Sequence, residues 1–146
     1  MNAESFIKSN IAVTILTLML KDSGYRVLSL RNNELLDRLL QDGVKNIKIT
    51  KLLLNTPNFI VIDKKNDPIP VSVKFRGQGK SGGNIDWGFK QISEYWPETL
   101  MVVVSNRVPY FSIFSCGKLV SLEDSVLKIN KKTSENYAHL IEKFLK

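Results

Sequence analysis

The chain has 146 residues, 43% of them hydrophobic, which suits one domain with an apolar core. Lysine and arginine outnumber aspartate and glutamate by 21 to 14, and the net charge of +7 favours an anionic partner, nucleic acid first. One cysteine and one histidine exclude an internal disulfide and a zinc site made of those residue types, and they fit a reducing, cytoplasmic setting.

The first predicted element is a helix over residues 3–22. Its apolar run, residues 11–20, is about half as long as a membrane span requires, and no small-residue cleavage site follows it. We therefore expect a helix that is buried on most of its surface, and no membrane association. Gly24 is the expected end of this helix, because glycine readily takes the left-handed conformation found after many helices.

A strand and a second helix are predicted next. Residues 25–30 alternate like a strand. Asn32 or Asn33 can cap a short helix that ends at Gly43. Residues 46–54 begin with strand-like alternation and continue with consecutive leucines, so their pattern does not decide between strand and helix.

The remaining predicted elements are strands interrupted by helices. They are strands at residues 58–63, 70–76, 100–105 and 110–115, and helices at residues 85–96 and from Ser134 onward. The strand at 100–105 is apolar throughout, as expected for a strand buried on both faces. The order predicts a single α/β domain over residues 1–146, with a mixed central β-sheet flanked by helices.

Two of these strands carry the most informative sequence. Residues 57–63 read PNFIVID and residues 72–74 read SVK, with a polar turn between them. This frame resembles the core of the PD-(D/E)xK nuclease superfamily, in its RecB/Cas4-like or Holliday-junction-resolvase-like branches. The resemblance implies a restriction-endonuclease-like core, in which an Asp on the first strand and an acidic residue two positions before a Lys hold a divalent metal. Asn58 and Ser72 stand at those acidic positions in this chain, and Lys74 stands at the lysine.

The helix after Lys74 adds to the resemblance. Gln91 and Tyr95 look like the Gln-x-x-x-Tyr motif of the RecB and Cas4 branch. Their four-residue spacing puts both side chains on one helical face, where they can meet a phosphate or a base. Glu4 is the residue that matches the Glu of the family's opening helix. The resemblance extends over about residues 1–115.

The catalytic positions that the resemblance implies are degenerate. They are occupied by Asn58, Ser72, Lys74 and Gln91. Cleavage of a phosphodiester at neutral pH needs an activated water and a divalent ion such as Mg²⁺ or Mn²⁺, held by hard oxygen ligands. An amide and a hydroxyl offer neutral oxygens that do not offset the charge of the ion, so metal should bind much more weakly. We therefore expect a nuclease-fold protein that is impaired in catalysis and binds no metal cofactor.

An active nuclease with a rewired metal site is the first alternative. Its acidic ligands would be Asp63, Asp86, Glu94 and Glu4. Asp63 lies five residues beyond Asn58 on the same strand, and this odd spacing points the two side chains to opposite faces. In this alternative the chain is a Mg²⁺- or Mn²⁺-dependent endonuclease or exonuclease.

Two further alternatives need no catalysis. In an engineered, inactivated chain Asn58 would replace an Asp, whereas Ser72 is not a usual replacement for Glu. In a structural or inhibitory module on the same fold, or in a homodimer, the strand at 110–114 could pair with a protein partner if it lies on a sheet edge, which its sequence does not distinguish from an ordinary buried strand. Salt separates the two kinds of partner, because phosphate binding weakens steeply with salt and an apolar interface hardly changes.

The surface around Lys74 is the predicted nucleic-acid contact, with DNA expected ahead of RNA. The residues assigned to it are Arg76, Lys80, Lys90 and Tyr95. The cations can follow phosphates, and Trp87 or Phe89 can stack on unpaired bases. Lys80 also belongs to a Gly-Lys-Ser sequence like the end of a nucleotide-binding P-loop. The first glycine of that motif would fall on Lys74, so ATP or GTP binding is not expected.

Overall fold

The computed structural model of the chain describes residues 3–30, 33–43, 47–77, 85–115 and 117–146. The helices are α1 (Ala3–Asp22), α2 (Asn33–Gln41), α3 (Ile47–Leu54), α4 (Ile85–Tyr95) and α5 (Lys131–Phe144), with a short 3-10 helix at Leu122–Asp124. The strands are β1 (Arg26–Ser29), β2 (Phe59–Ile62), β3 (Pro68–Arg76), β4 (Leu100–Ser105), β5 (Phe111–Ser115) and β6 (Lys118–Ser121).

The strands form a six-stranded sheet in the order β1-β2-β3-β4-β5-β6. β3 and β4 are parallel, and the other neighbouring pairs are antiparallel. A parallel pair needs a crossover connection, which α4 supplies here. The prediction of an α/β fold with a mixed sheet flanked by helices is therefore confirmed.

One face of the sheet, which we call the α1 face, carries the larger core. Because side chains alternate along a strand, β3 directs Val71 and Val73 to this face. There they join a cluster that includes Leu16 of α1 and Ile141 of α5. The two helices also pack against each other, so α1 and α5 form the layer that covers this face.

The opposite face, which we call the α4 face, is covered over β4 and β5. Ile92 and Phe89 of α4 pack there on Met101, Val103 and Phe114, and the rings of Phe89 and Phe114 meet edge to face with centroids 5.3 Å apart. Strand alternation puts the polar residues of β3 on this same face, next to the helix.

The first helix matches its predicted span but is less buried than expected. Gly24 follows it with φ +93°, and the Tyr25 N–H donates to the Leu20 carbonyl at 3.1 Å, which closes the last turn as predicted. Phe6 and Ile7 are 45% and 56% exposed, so the expectation of burial on most of its surface is wrong.

α1 as a whole is also long and apolar enough to cross a membrane, by length and composition alone. Its most apolar window has a mean hydropathy of 1.3, and 28% of that window is buried. The buried residues are Ala12, Ile15, Leu16, Met19 and Leu20. These side chains belong to the α1-face core.

Other differences from the sequence predictions have local causes. The undecided stretch 46–54 contains a helix, α3, whose Ile49 and Leu52 remain exposed. α5 begins at Lys131 rather than at Ser134, because the Asn130 side chain accepts a hydrogen bond from the Lys132 N–H at 2.8 Å and caps the helix.

The strand at 110–114 does not lie on a sheet edge, so the predicted pairing of this strand with a protein partner is wrong. β5 is paired on both sides, with β4 and with β6, so its backbone donors and acceptors are already engaged within the sheet. β6 was not predicted. The outer strands of the described sheet are β1 and β6.

Candidate nucleic-acid interface

β3 places three polar side chains in a row on the α4 face. Ser72, Lys74 and Arg76 alternate with residues that point to the α1 face, so successive members of the row lie roughly 7 Å apart. β3 is an interior strand between β2 and β4, which gives the row a rigid base. Lys74 is exposed, whereas Ser72 and Arg76 are half-buried.

Lys74 lies against α4 at a glycine. A Cβ atom built on Gly88 would be 3.8 Å from the Lys74 Nζ and 3.9 Å from its Cε. Among the described residues no carboxylate forms an ion pair with the Lys74 ammonium group. The ion pair that the described residues do form joins Lys8 and Glu4 on α1. The site therefore presents an uncompensated positive charge beside a helix.

The flank of α4 that borders Lys74 carries the predicted recognition residues. Gln91 and Tyr95 are three and seven residues beyond Gly88, so they are rotated from it by only roughly 60° and 20° around the helix. Tyr95 is 37% exposed, and Trp87, one residue before Gly88, is 61% exposed. Gln91 and Tyr95 therefore share the flank of α4 that borders Lys74, about 4.5 Å and 10.5 Å further along the helix axis than Gly88. The exposed indole of Trp87 lies at the outer margin of this flank.

Other predicted residues of α4 lie away from this flank. Lys90 and Asp86 are each two residues from Gly88, a rotation that puts them about 160° around the helix. Glu94 is rotated by about 120° in the same way. Neither acidic residue therefore stands beside Lys74, and Lys90 does not extend its row.

The two remaining binding predictions have different outcomes. Phe89 is not a stacking platform, because it is half-buried and its ring packs on Phe114. Lys80 lies outside the described residues.

Asn58 serves the backbone of the sheet. Its Oδ1 accepts a hydrogen bond from the Val73 N–H at 2.8 Å, and its carbonyl accepts one from the Leu30 N–H at 3.1 Å. Asn58 directly precedes β2, whose pairing of Phe59 with Val71 brings it next to the Ser72 segment. The position at which the resemblance implies the first metal-binding acid is thus held by a neutral amide whose oxygen is already engaged.

Asp63 does not lie near Asn58. Along β2 the five-residue separation corresponds to roughly 16 Å. The Asp63 Oδ1 accepts hydrogen bonds from the N–H groups of Lys65 at 2.8 Å and Asp67 at 2.9 Å, which closes the β2–β3 turn. Burial, and then the charge of Asp63, raises the pKa of Tyr25 at the start of β1. Asp63 therefore stabilises the turn at the far end of the strand.

The structure gives no support to a rewired metal centre among the residues it describes. Glu4 is exposed and pairs with Lys8 at 3.0 Å on α1, the helix that covers the opposite face of the sheet. Nowhere in the described ranges do three or more His, Cys, Asp or Glu side chains come together as a possible metal site.

A cleft of about 270 Å³ continues the α4 face beyond the end of β3. Arg76 and Arg107 both line it, at the carboxyl ends of β3 and β4. The sequence analysis did not single out Arg107. Arg107 could have been found from its place after a predicted strand, because the carboxyl ends of adjacent parallel strands, here β3 and β4, lie at the same edge of a sheet.

Comparisons with models of protein families, with curated proteins and with solved structures return no match for this chain.

Proposed function

We propose that this protein binds nucleic acid through the α4 face, with Lys74 and Arg76 on phosphates, and that it does not cleave the strand. The observation that carries the proposal is the Lys74 ammonium group, which is exposed, lies beside Gly88 and has no carboxylate partner among the described residues. An unpaired cation on a rigid strand is suited to a phosphate group. Its contribution to binding should fall as salt rises.

Exposed aromatic rings on α4 favour a nucleic acid with unpaired bases, because such bases can stack on the rings. Trp87 and Tyr95 belong to the helix that borders Lys74, and both rings are reachable from solvent. Stacking of a base on an aromatic ring contributes about 1–3 kcal/mol and tolerates any sequence. We therefore propose a single strand, DNA ahead of RNA, that runs along β3 with its bases turned towards α4. Gln91 would donate to or accept from a phosphate or a base edge.

The absence of cleavage follows from the ligand chemistry at the positions of the two family acids. Asn58 and Ser72 carry no charge, and the Asn58 oxygen is committed to the Val73 N–H. A divalent ion at this point would lack the negative charge that holds it in place. The proposal is thus a pseudonuclease on a PD-(D/E)xK, restriction-endonuclease-like scaffold, in which the phosphate-facing lysine is kept and the metal is lost.

The test compares two lysine-to-alanine variants, one at Lys74 in the β3 row and one at Lys90 on the far side of α4. Binding of a fluorescein-labelled single-stranded DNA is measured by anisotropy over a range of salt concentrations in EDTA. Lys74→Ala should weaken binding about tenfold, equivalent to one charge-assisted hydrogen bond, and should lower the salt slope by about 0.7. Lys90→Ala removes the same charge from the far side of α4 and should change the affinity less than about twofold.

Two results would refute the assignment. Equal losses in the Lys74 and Lys90 variants would mean that net charge, and not the β3 row, determines binding. Absence of binding by the unmodified protein at low salt would remove nucleic acid as the partner. Each variant is checked by thermal unfolding, so that a loss of affinity is not confused with a loss of fold.

A further inference from the structure

The cleft at the end of β3 has the composition of an anion site. Its polar wall comes from the end of β3, from the β4–β5 connection and from β5. The residues that line the cleft include Arg76, Ser105, Arg107, Ser112 and Leu119. Among the described residues ten line the cleft, and none of these ten is acidic. Two arginines and two serines therefore line the same concave space.

Neither arginine is neutralised within the described residues. No carboxylate forms an ion pair with Arg76 or Arg107 there. Ser112 of the cleft pairs with Ser121, whose hydroxyl donates a hydrogen bond to the Asp124 carboxylate at 3.0 Å. Asp124 is not among the described residues that line the cleft. The positive charge of the cleft is thus open to a ligand.

Shape and hydrogen-bonding geometry indicate which anion suits the cleft. A guanidinium group binds phosphate oxygens in pairs, which is why arginine is preferred where phosphate must be held in a fixed orientation. The volume of about 270 Å³ is at the lower end of the range for ligand pockets, which suits one nucleotide and not a larger cofactor. Leu119 and Val108, which are 44% and 79% exposed, add an apolar wall on which a sugar or base can rest.

We propose that this cleft binds a phosphate monoester, supplied either by a free mononucleotide or by the phosphorylated end of a strand. Arg76 and Arg107 hold the phosphate oxygens, and the hydroxyl groups of Ser105 and Ser112 are the neighbouring donors. The strand-end source rests on the proposed function, because Arg76 is the next residue after Lys74 in the β3 row, and a strand that ends in the cleft would continue past Lys74. The free-nucleotide source does not depend on it.

The first arm of the test measures binding of adenosine 5′-monophosphate by calorimetry, with adenosine as the control. The nucleotide should bind and adenosine should not. Arg107→Ala should weaken nucleotide binding about tenfold or more, and Arg107→Lys should fall between, because it keeps the charge but loses the paired geometry. Lys90→Ala, which removes a charge from the far side of α4, should have no effect. Arg107 is exposed, and thermal unfolding of each variant checks that the fold is kept.

The second arm compares single-stranded DNA oligonucleotides that carry a 5′-phosphate, a 3′-phosphate or hydroxyl groups at both ends. Tighter binding of one phosphorylated end, lost in Arg107→Ala, assigns the cleft to a strand end. Nucleotide binding that depends on Arg107, with no preference among the strands, assigns it to free nucleotides.

The inference is overturned if adenosine monophosphate binds no better than adenosine and neither terminal phosphate improves strand binding, or if Arg107→Ala changes none of these affinities. The two proposals fail separately. Strand binding that depends on Lys74 without any effect of Arg107 would leave the proposed function in place and remove the cleft. Nucleotide binding without strand binding would do the reverse.

Discussion

Replacement of Asn58 by alanine should destabilise the protein through a single hydrogen bond. The Asn58 Oδ1 is the acceptor for the Val73 N–H at 2.8 Å, in a half-buried position directly before the start of β2. A neutral hydrogen bond contributes about 0.5–1.5 kcal/mol, and a donor left partly buried without a partner adds to the loss. We expect Asn58→Ala to lower the free energy of unfolding by about 1.5 kcal/mol. For a chain of this size the unfolding temperature should fall by about 5 °C.

The control is Asn58→Asp, which keeps an acceptor of the same shape. Its carboxylate can still accept from the Val73 N–H, so the free energy of unfolding should remain within about 0.5 kcal/mol of the unmodified protein. Both variants are measured by urea denaturation and by thermal scanning at pH 7. The reasoning is refuted if Asn58→Ala is as stable as the unmodified protein, or if Asn58→Asp is destabilised as much as the alanine variant.

Two further predictions concern α4 and the α1–α5 contact. Gly88→Ala should raise the free energy of unfolding, measured by urea denaturation, by about 0.5–1 kcal/mol, because alanine favours a helix interior. The added Cβ would meet the Lys74 Nζ at 3.8 Å, an ordinary contact distance. A loss of stability would contradict this geometry. The hydrogen bond to Asp22, together with burial, raises the pKa of Tyr137 to about 12 from 10.0. Since the folded state holds this proton more tightly than the unfolded state, the stabilisation is complete below pH 10.0 and is lost as the pH rises through about 12. Tyr137→Phe should therefore lower the free energy of unfolding by about 1 kcal/mol at pH 7. The difference in free energy of unfolding between this variant and the unmodified protein should shrink between these two pH values. A difference that does not change with pH would contradict the hydrogen bond from Tyr137 to Asp22.

Sequence patterns located the elements whose burial is decided locally. The continuous apolar run of β4 predicted Leu100–Ser105, and the Gly24 stop after an apolar run predicted α1 as Ala3–Asp22. α3 stayed undecided between strand and helix, because residues 47–49 alternate like a strand and three consecutive leucines follow. Ile49 and Leu52 leave much of their surface in water, so no clear apolar face marks the helix. β6 was missed because a four-residue outer strand is held by its pairing with β5, which leaves little pattern in its own sequence.

The features of the candidate interface also fall into two groups, those that one element determines and those that depend on the pairing of strands. The helical spacing of Gln91 and Tyr95 was sufficient to place both on one flank, and that depends on one element alone. The bond from Val73 to Asn58 depends on how β2 and β3 align, and the meeting of Arg76 with Arg107 depends on the β3–β4 pairing. Contacts of this kind join segments far apart in the chain, and spacing within one segment does not reveal them.

The most direct test of the central claim follows one labelled single-stranded DNA in two buffers at low salt, one with Mn²⁺ and one with EDTA. Anisotropy reports whether the unmodified protein binds, and a denaturing gel of the same samples reports whether the strand is intact. The account predicts binding in EDTA, weaker binding by Lys74→Ala, and an uncut strand in both buffers. Cleavage that requires Mn²⁺, or failure to bind in EDTA, would contradict the claim that this protein holds nucleic acid without a metal and without cutting it.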